Sequence, residues 1–358
     1  MRERIIILKV SDFPVWVAFC ISVLHFYTPN FRSKEQTEHT MNFCPVPHTS
    51  RDQFWLAFGV AAGCAVGYAI RSQIKTAGAA ATSSTTLATT FNEIFGFIGC
   101  GTISTAIVTG LCTLPPSQRP RAIIVSPRNK EKADALAAAF PRIVSVASTN
   151  QEVVDKTDIV FLAVGTKVAK DGTTISELNF KESQQIVSVM ASIPMDDLRT
   201  LVRPVPDANI CRAIPLPAVA VHKGATIVSD HPLAKRIFDP LGKAVVARNS
   251  KELDVLMCIS CMMGPYYKTC GVVTEWLVEN GITPQTASDL TVAFHHTVLS
   301  EAEHRVAEVK GPKAFEELVN EQTPGGLNET NVRTMGARGA FEAHATALTA
   351  TLRGLRGE

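Results

Sequence analysis

The chain has 358 residues, room for two domains of ordinary size. Hydrophobic residues make up 46% and charged residues 19%, a globular composition that excludes a wholly disordered chain. A formal net charge of +2 calls for no nucleic-acid or anionic-surface partner, and nine cysteines without a disulfide rhythm point to a reducing compartment.

The first 91 residues hold most of the apolar excess. The stretch from Phe13 to Phe31 lacks formal charge but is interrupted by Pro14, His25 and Pro29. Residues 54–70, FWLAFGVAAGCAVGYAI, are cleaner, bounded by Arg51-Asp52 and Arg71. Their length sits at the short end of the ~17–25 residues of a spanning helix. Trp55 and Tyr68 lie near the ends, and Gly59, Gly63 and Gly67 fall four apart. A membrane helix, a cleaved targeting segment and a buried apolar helix all fit. The N-terminal region therefore reads as a membrane tether or an organelle-targeting segment, without which the chain would be cytoplasmic. Residues 76–90, TAGAAATSSTTLATT, read as a flexible linker.

From Phe91 onward short β-branched runs alternate with helical patterns. Strands are expected at Ile94–Ile98, Ala122–Ser126, Asp158–Val164, Gln185–Ala191 and Asn209–Ile214, with helices such as Lys130–Phe140 between them. That alternation predicts a Rossmann-type, mostly parallel α/β sheet over 92–248. After about residue 250 the strand signals stop. Leu290, Phe294, Val298, Ala302 and Val306 form one helical stripe, and Val332, Met335, Phe341, Ala345, Leu348 and Leu352 another. An all-helical domain is expected over 249–358.

Within the first strand–helix unit, Ile94–Ile98 runs into Gly99-Cys100-Gly101-Thr102-Ile103-Ser104. Gly99 suits a tight turn. Gly101 lets a pyrophosphate approach the backbone, and the following helix start offers free N–H groups. Ser104 replaces the third glycine of the usual fingerprint and is small enough for close helix–strand packing. An NAD site normally carries an acid at the tip of the second strand. Here that tip reads Ser126-Pro127-Arg128-Asn129-Lys130, with no carboxylate. Ser126 and Arg128, with Lys130 adding charge, suit a 2′-phosphate and hence NADP(H).

Taken in order, GFIGCGTISTAI, VFLAV at 160–164, RAIPLPA at 212–218, GPYY at 264–267 and TPGGLN at 323–328 make the chain from about residue 92 resemble the pyrroline-5-carboxylate reductase family. The resemblance implies hydride transfer from NAD(P)H to the cyclic imine of 1-pyrroline-5-carboxylate, giving proline. It also implies an interleaved helical homo-oligomer, a dimer or higher. It assigns Gly99, Gly101, Thr102, Ile103, Ser126, Arg128, Ala163, Val164 and Pro215 to the cofactor, Gly325 and Gly326 to the substrate carboxylate, and Thr323 and Asn328 to catalysis. The chain departs from the family at several points. Leu327 and Asn328 stand for two threonines, Gly165-Thr166 for Lys-Pro, Leu216 for an asparagine, and Met262-Met263 for Gly-Ser. Two alternatives stay open: an NADP-dependent oxidoreductase of another imine or a hydroxy acid, and a catalytically impaired, cofactor-binding membrane protein.

Other candidates read as structural. Cys258-x-x-Cys261 has no second pair at zinc spacing, so no metal site is expected. His295 and His296, being adjacent on a helix, are expected on different sides. Tyr266 or Tyr267 can reach a substrate pocket, though packing explains either.

Overall fold

The computed structural model describes residues 91–358 apart from Gly172. The stretches at 13–31 and 54–70 and the linker at 76–90 lie outside the described residues. Among those described, no helix is long and apolar enough to cross a membrane.

Eight strands form one sheet, in the order β3-β2-β1-β4-β5-β6-β7-β8. They are β1 (Ile94–Ile98), β2 (Ala122–Val125), β3 (Val144–Val146), β4 (Ile159–Leu162), β5 (Gln185–Ser188), β6 (Ile210–Ile214), β7 (Gly224–Ser229) and β8 (Gly242–Ala247). The first six lie parallel, β7 runs antiparallel to β6, and β8 is parallel to β7. The connecting helices include α1 (Thr102–Thr113), α2 (Lys130–Ala139), α3 (Asn150–Lys156), α4 (Thr166–Asp171), α5 (Thr173–Ser176), α6 (Met195–Leu201) and α7 (Pro232–Phe238). The order reverses between β1 and β4, which opens a crevice at the carboxyl ends of those strands.

The central strands are buried on both faces, which is why β1 and β4 read as continuous apolar runs. One face packs Phe95, Phe97, Ile107, Leu111 and Phe161, with the rings of Phe97 and Phe161 stacked 4.3 Å apart. The other packs Val153, Val160, Leu162, Ile186 and Leu198.

From Asn249 only helices follow: α8 (Ser250–Ser260), α9 (Met263–Glu279), α10 (Pro284–Glu308), α11 (Lys313–Asn320), α12 (Leu327–Ala337) and α13 (Ala340–Arg356). The expected stripe from Val332 to Leu352 proves to be two helices, because the chain turns at Arg338-Gly339. These helices bury little within one chain. Trp276, Phe294, Leu299 and Phe315 are all more than half exposed.

Three strands were not expected from the sequence. β3 has only three residues, and β8 is a half-exposed edge strand beginning Gly-Lys. β7 departs from the strand–helix alternation because the short 3₁₀ turn Pro217–Val221 sends the chain straight back beside β6.

That turn is clamped onto α1. His222 Nε2 lies 2.9 Å from the Gly110 carbonyl and 3.2 Å from Thr113 Oγ1. Gly110 permits the approach, since a Cβ there would fall 2.3 Å from the Val219 carbonyl oxygen. Gly110→Val is therefore expected to lower stability by about 1–3 kcal/mol through overpacking, read as a drop in the urea midpoint. An unchanged midpoint would show that the contact yields without cost.

Candidate functional site

The β1–α1 turn forms at the mouth of the crevice. Gly99 has φ +99°, and a Cβ on it would lie 2.5 Å from the Ala163 carbonyl oxygen at the end of β4. Only glycine satisfies both conditions. The Ala163 N–H donates to Ile98 O at 2.8 Å, tying the two strand ends together. Ser104 Oγ donates to Gly99 O at 2.6 Å and so braces the turn from within the helix. Gly101 differs from Gly99. It caps α1 without a side chain, and a Cβ on it would meet nothing within 4 Å. Space is thus open above a helix start whose first N–H groups lack intrahelical partners, an arrangement suited to a pyrophosphate.

Ser126 follows β2 directly and is buried. Its Oγ accepts from the Gly99 N–H at 2.9 Å, so its first duty is to hold the glycine turn. Arg128 is exposed on the following loop. Lys130, expected to add charge here, is paired instead with Asp134 at 2.8 Å. The cation that touches the turn is Lys132, whose Nζ lies 3.1 Å from Thr102 Oγ1. The sequence reading passed over it, since only the crossing of α1 and α2 brings the two together.

The loop beginning at Pro215 leaves β6 on the same edge of the sheet. Its strand is strapped by Arg212, a buried side chain that sequence reasoning also passed over. Arg212 Nη2 donates to Ala191 O at 2.9 Å, and its nearest acid, Asp254 on α8, is 4.0 Å from Nη1. Burial lowers the guanidinium's pKa, with Asp254 acting in the opposite sense.

The Thr323–Asn328 turn lies far along the chain, at the start of α12. Gly326 N–H donates to Thr323 O at 2.9 Å, and Gly325 N–H donates to Glu329 Oε2 at 2.5 Å. The two glycine donors expected to be free are therefore engaged within the chain. The helix-opening N–H groups that follow, beginning at Leu327, are the open ones. The sequence did hold a signal for Glu329: an acid at the third helical position is where a capping carboxylate reaches back. Asn328 is exposed and donates from Nδ2 to Gln322 Oε1 at 2.6 Å, and it does not cap α12, whose N-cap is Gly326. Leu327 is 84% exposed. The hollow that Asn328 borders, about 820 Å³, is lined by residues between Phe294 and Phe341 and by none from the β1–α1 glycine turn.

The set-aside residues have local roles. The buried thiol of Cys258 donates to Asp254 O at 3.2 Å, and burial raises its pKa. Burial also pushes the thiols of Cys112 and Cys211 up to about 12. His295 and His296 both border a hollow of about 420 Å³ with Tyr266 and Tyr267, and His296 alone of the two also borders a second hollow. Among the described residues no group of three or more His, Cys, Asp or Glu side chains is placed to hold a metal.

A mostly parallel sheet with its glycine turn at the reversal of strand order, followed by helices alone, defines a dinucleotide-binding protein of oxidoreductase build. Residues 94–192 match the family described as NADP oxidoreductase, coenzyme F420-dependent. Pyrroline-5-carboxylate reductase of Arabidopsis thaliana is 25% identical over 260 residues, 69% of this chain and 88% of that one. Among solved structures, 1-pyrroline-5-carboxylate reductase from Streptococcus pyogenes superposes with a TM-score of 0.62 at 22% identity, over 75% of this chain and 99% of that one. Plasmodium falciparum pyrroline carboxylate reductase with NADP bound gives 0.63 at 17% identity, over 75% and 98%. The chain is thus similar to pyrroline-5-carboxylate reductases in sequence and in fold over most of its described length.

Gly101 allows a test that separates ligand from fold. Its φ of −92° is ordinary and its Cβ direction is open. Gly101→Leu is expected to leave the melting temperature of the cofactor-free protein nearly unchanged while raising the NADPH dissociation constant at least about tenfold. Retained affinity would mean that the dinucleotide does not cross this turn.

Proposed function

We propose that the protein is an NADPH-dependent reductase of a cyclic imine, converting 1-pyrroline-5-carboxylate to proline. The observation that carries this reading is the likeness to pyrroline-5-carboxylate reductases over 260 residues, 88% of the length of the Arabidopsis thaliana protein. When bound, the reduced nicotinamide supplies a hydride to the imine carbon. The chain's own residues need only hold the partners, orient the imine and donate hydrogen bonds. Gly99, Gly101, Thr102 and Ile103 form the pyrophosphate cradle, while Ala163, Val164 and Pro215 line the same edge of the sheet toward the nicotinamide. Arg128 and Ser126 take the 2′-phosphate, Arg128 by direct contact and Ser126 through its free O–H.

The substrate carboxylate takes the N–H groups that open α12. Glu329, whose carboxylate is bonded to the Gly325 N–H in the resting turn, swings outward to admit it. Asn328 then exchanges Gln322 for the substrate and supplies the hydrogen bond that a threonine gives elsewhere in the family, and Thr323 closes the turn. In this reading the two halves of the site come from different copies in a homo-oligomer, a reading supported by the Asn328 hollow, which contains no residue of the glycine turn. The exposed apolar faces of α9 to α12 fit that arrangement, since patches of this kind are normally covered.

NADPH oxidation by the purified protein with 1-pyrroline-5-carboxylate, set against a panel of cyclic imines, tests the function. No turnover of any imine would overturn it. Asn328→Ala should lower kcat/KM ten- to a hundredfold, from the loss of a hydrogen bond worth about 1.5–3 kcal/mol to a charged or polar group. Its melting temperature should stay put, because Asn328 is not the cap. A fall in melting temperature with unchanged kinetics would remove Asn328 from the site. For the 2′-phosphate, Arg128→Ala should weaken NADPH and leave NADH nearly unchanged; equal weakening of both would refute that role.

A further inference from the structure

We propose that Lys132 is a cofactor-holding residue, whose ammonium clamps the pyrophosphate of the dinucleotide against the first turn of α1. The inference rests on the dinucleotide reading of the glycine turn and assigns it a side chain where the fingerprint supplies only backbone.

Three observations carry it. The first is placement: Lys132 Nζ lies 3.1 Å from Oγ1 of Thr102, the first residue of α1, although the two are thirty positions apart. The second is the state of its charge. Lys130, two residues earlier at the start of α2, is paired with Asp134, whereas among the described residues no carboxylate is paired with Lys132. An ammonium has three donors, and only one is given to the Thr102 hydroxyl. The third is sign. A helix start carries partial positive charge, so a cation held there is repelled rather than stabilised. A half-buried lysine resting on such a start is electrostatically unfavourable in the empty site and becomes favourable once an anion lies between them. The open volume beyond Gly101 is where that anion fits. The charge also reaches the turn itself: it opposes the upward pull of burial on the neighbouring Cys100 thiol.

The alternative anion is the 2′-phosphate, whose expected holders Ser126 and Arg128 precede α2 on the same connection. Geometry favours the pyrophosphate, because Lys132 touches the helix start and not the tip of β2. The pyrophosphate is common to NADPH and NADH, and the 2′-phosphate is not, so the two assignments give different results.

The experiment measures dissociation constants of NADPH and NADH by titration for the full-length protein and for Lys132→Met, which keeps the length of the stem and removes the charge. Both constants should rise about tenfold and by the same factor. The melting temperature of the cofactor-free variant should be unchanged or raised, since a misplaced cation has been removed. Lys132→Arg should recover most of the affinity for both. Weakening of NADPH alone would assign Lys132 to the 2′-phosphate, and unchanged constants would make it a surface cation; either result overturns the proposal. Arg128→Ala serves as the internal control, expected to discriminate between the cofactors where Lys132→Met does not. If the unaltered protein bound neither nucleotide, the cofactor reading itself would fall, and this inference with it.

Discussion

One close approach governs the arrangement of the site: the backbone of Gly99 lies against the carbonyl of Ala163, where β1 and β4 end side by side. No side chain fits between them. The contact fixes where the chain leaves β1, and therefore where α1 starts and which way its first N–H groups point. Ser126 and Ser104 reinforce the turn from either side, one by accepting from the Gly99 N–H and the other by donating to its carbonyl. The clamp of the Pro217–Val221 turn on Gly110 then holds the far end of α1. The helix is thus gripped at both ends, and a ligand at its start meets a preorganised surface.

The sheet half was legible because its periodicities are strong. The expected strands at 94–98 and 122–126 match observed strands to within a residue, and the runs at 158–164 and 185–191 extend beyond theirs mainly by apolar residues in the loops after the strand ends. β3 and β8 escaped notice for a physical reason. A three-residue strand and an edge strand exposed along much of its length do not need the apolar pattern that marks a buried one.

The site was legible in outline only. The glycine turn announces itself because its demands fall on consecutive residues. The choice between Lys130 and Lys132 does not, because it depends on which face of α2 meets α1. The occupancy of the Gly325 N–H by Glu329 depends on four neighbouring residues and could have been read from the acid following Gly-Gly-Leu-Asn. Arg212 was hidden differently: a strand-borne arginine looks exposed in sequence, and only the loop after β5 explains its burial.

The contrast between the two halves of the chain has a consequence for how the protein opens. In the sheet, amides are shielded by cores on both faces, while beyond Ser260 the only buried residues among those described are Ala287, Thr291 and Ala314. Amide exchange and proteolysis follow local burial rather than global stability. For an isolated copy, the helices after α8 would be the first to exchange deuterium and the first to be nicked. Covering their apolar faces would slow both, so the protection of that half would rise with protein concentration while that of the sheet stayed level.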